Sequence, residues 1–135
     1  MLFRSAIEFY EQQLTIAREI GNRRGEGNAL GSMGRAYADL GDARRAIEYH
    51  EQYLAIAREI GDRRGEATAL WNTAVDQWSL GERSDAIGGA ERALEIYEAI
   101  ESPAAPNVKA ALTEWRNAGP ATDRKSTRLN SSHRT

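Results

Sequence analysis

The sequence repeats itself with a period of 40 residues. The segment from Ala6, AIEFYEQQLTIAREIGNRRGEGNAL, aligns with the segment from Ala46, AIEYHEQYLAIAREIGDRRGEATAL, and about half of the aligned positions are identical over the full unit. A third copy begins at Ala86, AIGGAERALEIYEAI, and loses the pattern after Ser102. Self-similarity at such a period is typical of stacked units that bury their apolar surfaces against each other. The chain is therefore expected to fold as a repeat array.

Two amphipathic helices are predicted in each unit. Between Ala46 and Ile60, apolar residues return every three to four positions and the charged residues fall mainly on other faces. The run from Ala29 to Leu40 behaves likewise and ends at Gly41, with Asp42 as the expected N-cap of the next helix. Short junctions of this kind make successive helices antiparallel. The predicted helices are 3–20, 24–40, 43–60, 64–80, 83–100 and 106–118.

The spacing of Leu30, Gly34, Tyr37, Gly41 and Ala46, with the string AIEYHEQYLAIAREIGDRRGEA, resembles tetratricopeptide repeats. The resemblance is to the long-period kind found in kinesin light chains and in many bacterial signalling and regulatory proteins. It implies an all-α fold, a right-handed superhelical solenoid of antiparallel helix pairs. It also implies a protein-protein interaction scaffold that binds a peptide or protein segment in its concave groove and has no catalytic activity.

Two features of the second half depart from this pattern. Gln77 stands where the preceding unit has the aromatic Tyr37. Gly88 and Gly89 lie inside a predicted helix, and two internal glycines cost a helix about 2 kcal/mol relative to alanine. We therefore expect the second half of the array to be less regular than the first.

The resemblance covers Ala6 to about Ile100, with a weaker fit over Val108 to Gly119. We call the first helix of each unit first-type and the second helix second-type. The amino terminus starts in a second-type helix, so Ile7, Leu14 and Ile16 are expected to lack a first-type partner. We interpret the chain as a fragment of a longer array, marginally stable and able to self-associate through its exposed terminal helices. The predicted organisation is a partial unit 1–22, full units 23–62 and 63–102, a partial or capping helix 103–119, and a disordered tail 120–135.

The tail differs in kind from the rest of the chain. Asp123 to His133 read DRKSTRLNSSH, which resembles translated sequencing adapter and suggests an artefactual carboxyl end. Residues 123–135 carry four basic side chains and one acid, a net of +3, which leaves −5 for residues 1–122 from the total of −2. An acidic array lacks the basic surface that phosphate backbones require, so we expect no nucleic-acid partner for this segment.

The composition excludes several classes of protein. The chain has no cysteine, which excludes disulfides and thiolate-bound metals. It has no apolar stretch of the roughly 20 residues that cross a bilayer, and no basic-then-apolar leader. We expect a cytoplasmic protein without a membrane partner.

The catalytic and cofactor motifs are weak. His50 occupies the slot of Tyr10 in the preceding unit, so we expect it to pack between helices and not to bind a metal. The glycine-rich stretch 25–31 has the wrong spacing for a dinucleotide loop and is not preceded by a strand. The glutamates of the second-type helices are interpreted as solvated. We predict no enzyme, no cofactor and no metal.

The binding residues follow from the resemblance, which places the first helix of each unit on the concave wall. Two tryptophans seven residues apart share a helical face there, beside polar side chains, and binding hot spots favour this composition. Alternatively, both tryptophans pack around Trp115. The predicted groove residues are Asn28, Arg35, Asp39, Trp71, Asn72, Val75 and Trp78.

Two other functions stay open at this point. The chain is alternatively a sensor or regulatory arm of a larger signalling ATPase, kinase or transcription regulator whose catalytic or DNA-binding domain lies outside these residues. A weaker alternative is a purely structural homo-oligomer.

Overall fold

The computed structural model describes the backbone of residues 2–118 and the side chains of residues 5–118. This part of the chain is all-helical, and each of the six predicted helices is found within one residue of its expected ends. The predicted tail lies outside the described residues. The helices are α1 (Leu2–Ile20), α2 (Arg23–Asp39), α3 (Ala43–Ile60), α4 (Arg63–Ser79), α5 (Arg83–Ala99) and α6 (Ala105–Asn117).

Short polar side chains cap the amino ends of α2, α3 and α4. The side chains of Asn22, Asp42 and Asp62 accept hydrogen bonds from backbone N–H groups three residues later, at 2.9, 3.1 and 2.9 Å. Each bond satisfies a donor that the first turn of a helix leaves free. The expected N-cap at Asp42 is confirmed, and Asn22 and Asp62 cap α2 and α4 in the same way.

Residues with a left-handed backbone conformation follow the ends of the helices, at intervals of 20 residues. Gly21, Gly41, Gly61 and Gly81 have φ values between +72° and +85°, where a side chain would be strained. The fifth position of this series is Glu101, at φ +55°. The chain therefore makes the same reversal after α5 with a residue that is poorly suited to it.

Consecutive helices pack against each other along the whole chain, and α2 also approaches α4 across the inner side of the array. This is the arrangement of an α-helical solenoid. One apolar core lies between α1, α2 and α3, and includes Leu14, Leu30 and Met33. A second lies between α4, α5 and α6, and includes Tyr97 and Leu112.

The glycine pair in α5 does not interrupt the helix, which runs from Arg83 to Ala99. Gly89 is buried, and a Cβ added there would lie 3.6 Å from the Cβ of Ala74. A Cβ added at Gly88 would meet no atom within 4 Å. An alanine at Gly89 would therefore make ordinary contact with α4, and one at Gly88 would meet no neighbouring atom, so the packing of α5 requires neither glycine.

Candidate functional site

A pocket of about 270 Å³ lies between α2 and α4. Residues three and four apart share a helical face, so each helix presents one row of side chains to it. The structure brings five of the predicted groove residues to this pocket, whereas Asn28 and Trp78 lie outside its lining. The lining residues are Arg35, Ala38, Asp39, His50, Trp71, Asn72, Val75 and Asp76.

A second pocket, of about 630 Å³, lies one unit earlier, between α1 and α2. Tyr10 lines it where His50 lines the first pocket, and Ser32 lines it where Asn72 does, each pair being 40 residues apart. Arg35 and Asp39 line both pockets. Arg35 and Asp39 therefore lie between the two pockets.

The side chains around the pocket between α2 and α4 differ in character. Arg35 and Asp39 are exposed, and Arg35 forms no ion pair with any residue of the range 5–118. Val75 is 40% exposed, although it is apolar. Asn72 and Trp71 are half-buried. The pocket therefore offers an unpaired guanidinium, an amide that both donates and accepts, and an apolar wall.

Its floor is a buried polar pair. His50 on α3 is 1% exposed and Asp76 on α4 is 7% exposed, with 3.3 Å between His50 Nε2 and Asp76 Oδ2. Among the described residues, His50 Nδ1 and Asp76 Oδ2 have no hydrogen-bond partner. His50 packs between helices, as its aromatic slot predicted. Sequence reasoning missed Asp76. The repeat did contain a signal, since the preceding unit has the apolar Ala36 at the equivalent position.

The three tryptophans form one cluster. Trp115 on α6 stacks on Trp78 at 4.7 Å and on Trp71 at 5.5 Å between ring centroids, with interplanar angles of 6° and 20°. Seven helical residues span about 10.5 Å, so a third indole fits between two that are seven residues apart. Trp78 also carries the guanidinium of Arg83 over its ring, at 4.8 Å. Trp71 both lines the pocket and packs internally, whereas the contacts of Trp78 are within the array.

Asn28 is exposed on α2, two turns before Arg35 and on the same face. It therefore continues the row of Arg35 along the helix beyond the pocket. Elsewhere, Glu8, Glu11, Glu48 and Glu51 are all exposed on the second-type helices, as expected. Within the described range, no three metal-ligating side chains come together.

The residues from 2 to 59, which span α1, α2 and nearly all of α3, match the family model for the tetratricopeptide repeat. This match covers 58 of the 135 residues and shows tetratricopeptide repeats in that part of the chain. The 40-residue period extends the same helix pairing through α4 and α5. Among the curated proteins, none matches this chain. In the part of the chain that the structure describes, no helix is both long enough and apolar enough to span a membrane.

Proposed function

We propose that the chain binds an extended peptide or protein segment in the groove along α2 and α4 and does not catalyse a reaction on it. Tetratricopeptide repeats commonly mediate protein-protein interactions. The observation that supports this use of the groove is the convergence of Arg35, Asp39, Trp71, Asn72 and Val75 on one pocket.

The chemistry of these side chains suits a polypeptide backbone with one apolar anchor. Asn72 can donate to a peptide carbonyl and accept from a peptide N–H, which an extended segment needs when its backbone leaves water. Arg35 adds a donor fork, and Asp39 adds an acceptor. Trp71 and Val75 provide the apolar wall that such an anchor requires. Because Arg35 and Asp39 also line the neighbouring pocket, a bound segment can extend from one unit to the next.

Peptides selected from a random display library on the chain test this proposal, because they require no knowledge of the natural partner. A selected peptide is titrated by calorimetry into the wild type and into Arg35→Ala and Val75→Glu. Both positions are exposed, so neither change disturbs the core. Each should weaken binding about fivefold to tenfold, which corresponds to about 1–1.4 kcal/mol.

Arg92→Ala is the matched control, because Arg92 is an exposed arginine on α5 that lies outside the groove. Its affinity for the selected peptide should stay within about twofold of wild type, the usual effect of a surface change away from an interface. Peptides that bind both Arg35→Ala and Val75→Glu as tightly as the wild type would disprove the groove as the binding site.

A further inference from the structure

The outer face of α1 carries an apolar stripe in contact with water. Phe9, Ile16 and Ile20 are 54%, 50% and 70% exposed. Their spacing of seven and four residues places them on one side of the helix. The neighbouring Gln12 and Gln13 are uncharged. Ile7 and Leu14, which the sequence grouped with Ile16 as unpartnered, are each only 8% exposed, so that expectation was wrong for them.

The position equivalent to Ile16 is buried in the other two second-type helices. Ile56 in α3 and Ile96 in α5 correspond to Ile16 through the 40-residue period, and each is 5% exposed. Gly27 of α2, the helix that precedes α3, lies against Ile56, and α4 packs on α5 in the same order. The face of α1 thus resembles a surface on which a first-type helix packs.

The contacts between α2 and α3 indicate which side chains a helix needs in order to pack on such a surface. A Cβ added at Gly27 would lie 3.2 Å from Ile56 and 3.3 Å from Tyr53, and one added at Gly31 would lie 2.8 Å from Tyr53. Small residues four positions apart therefore allow the two helices to approach. Large side chains at these positions would push the helices apart.

An ion pair fixes the orientation of α2 on α3. Arg23, in the first turn of α2, donates from Nε to Glu59 Oε2 at 2.8 Å and from Nη2 to Glu59 Oε1. The hydrogen bonds from Arg23 lower the pKa of Glu59, which keeps this carboxyl ionised. Glu19 of α1 is the equivalent of Glu59, and it has no ion-pair partner among residues 5–118.

We propose that α1 docks an amphipathic helix from outside these 135 residues, with an arginine in its first turn and glycine or alanine four residues later. The apolar face of this helix packs on Phe9, Ile16 and Ile20, with the small residue against Ile16, and the arginine pairs with Glu19. In this sequence an arginine precedes glycine or alanine by four residues only at Arg23 and Arg63, in α2 and α4. Both helices already pack between two neighbours, so neither is free to cover α1.

The probe is a synthetic peptide with the sequence of residues 22–41, NRRGEGNALGSMGRAYADLG, labelled with a fluorophore and titrated into the full 135-residue chain. Anisotropy should show saturable one-to-one binding. Ile16→Glu should weaken it at least about tenfold, because the new carboxylate is buried without a partner. Thr15→Glu is the control, since Thr15 is exposed beside the stripe, and it should change the affinity less than about twofold.

A charge exchange tests the orientation. Glu19→Arg should weaken binding of the peptide, and a peptide that carries Glu in place of its first Arg should bind the Glu19→Arg chain better than the wild type. A second arm avoids the low helicity of short peptides by placing residues 22–42 directly ahead of Phe3, which reproduces the spacing between α2 and α3. The unfolding midpoint should rise in this fusion, and Ile16→Glu should abolish the rise.

Binding that Ile16→Glu leaves unchanged would overturn the proposal, as would a fusion that unfolds at the midpoint of the chain alone. A dimeric mass of the chain without peptide, lost in Ile16→Glu, would also overturn it, because the stripe would then pair with a second copy.

Discussion

Gly34 and His50 make the sharpest test of how the first full unit packs. Gly34 lies in the middle of α2 and is buried against the imidazole on α3. A Cβ added at Gly34 would overlap His50 Cε1 and lie 2.6 Å from Nδ1. His50 is 1% exposed, with Asp76 on its other nitrogen, so the ring has little room to withdraw. Gly34→Ala should therefore force the two helices apart or rotate the ring.

The magnitude follows from two opposing effects. Ordinary contacts between such atoms are about 3.5 Å or longer, so the added methyl is too close by about 1 Å. Overpacking of a buried site costs about 1–3 kcal/mol. Alanine recovers about 1 kcal/mol, because it is a better helix former than glycine. The expected result is a net loss of about 1 kcal/mol in the free energy of unfolding, or a fall in melting temperature of about 3–6 °C.

Urea and thermal unfolding followed by circular dichroism measure both quantities. Gly88→Ala is the matched control, since Gly88 also lies inside a helix and its added Cβ meets no atom within 4 Å. It should stabilise the protein by about 1 kcal/mol. The two substitutions are chemically identical, so the difference of about 2 kcal/mol between them isolates the contact with His50.

A double substitution then tests the cause. Gly34→Ala with His50→Ala reproduces the Ala74 and Ala90 pair of the next unit. The loss should be smaller than the sum of the two single losses by about 1–2 kcal/mol, because residues in contact are coupled. A stabilising Gly34→Ala, or strictly additive losses, would refute the packing account.

Two further predictions concern the end of α5 and the acid stability of the first unit. Glu101→Gly should raise the melting temperature, with a gain of about 1 kcal/mol in unfolding free energy, because it relieves the left-handed φ of +55°; an unchanged melting temperature would contradict this. Burial raises the pKa of Glu26, but hydrogen bonds from Arg18 and Arg23 outweigh it, and the net pKa lies below the ordinary 4.5. Its ionised form therefore stabilises the fold above about pH 4.5, and this stability is lost as the pH falls through the lowered pKa. Unfolding free energies measured from pH 7 to pH 3 should fall less steeply for Glu26→Gln, and parallel curves for the two proteins would argue against this role.

The helices could be predicted almost completely from the sequence. Their ends are set by groups close in the chain, such as Asp42 with the N–H of Arg45, or Gly41 with its left-handed backbone. The groove residues could be predicted in part. Arg35 and Val75 were predicted from the resemblance, which places the first helix of each unit on the concave wall, and both line the pocket between α2 and α4. Gly88 and Gly89 were poor indicators of irregularity, because packing on α4 maintains α5 as one helix.

The sequence by itself determined the period, the helix ends and the set of faces that turn inward, because these depend on residues within a few turns of one another. Only the tertiary structure decided that Trp115 inserts between Trp71 and Trp78, that Asp76 lies beneath the pocket against His50, and that Ile16 is exposed while Ile7 is buried. Each of these depends on which side chain of another helix occupies the same space, and that depends on how closely the helices approach.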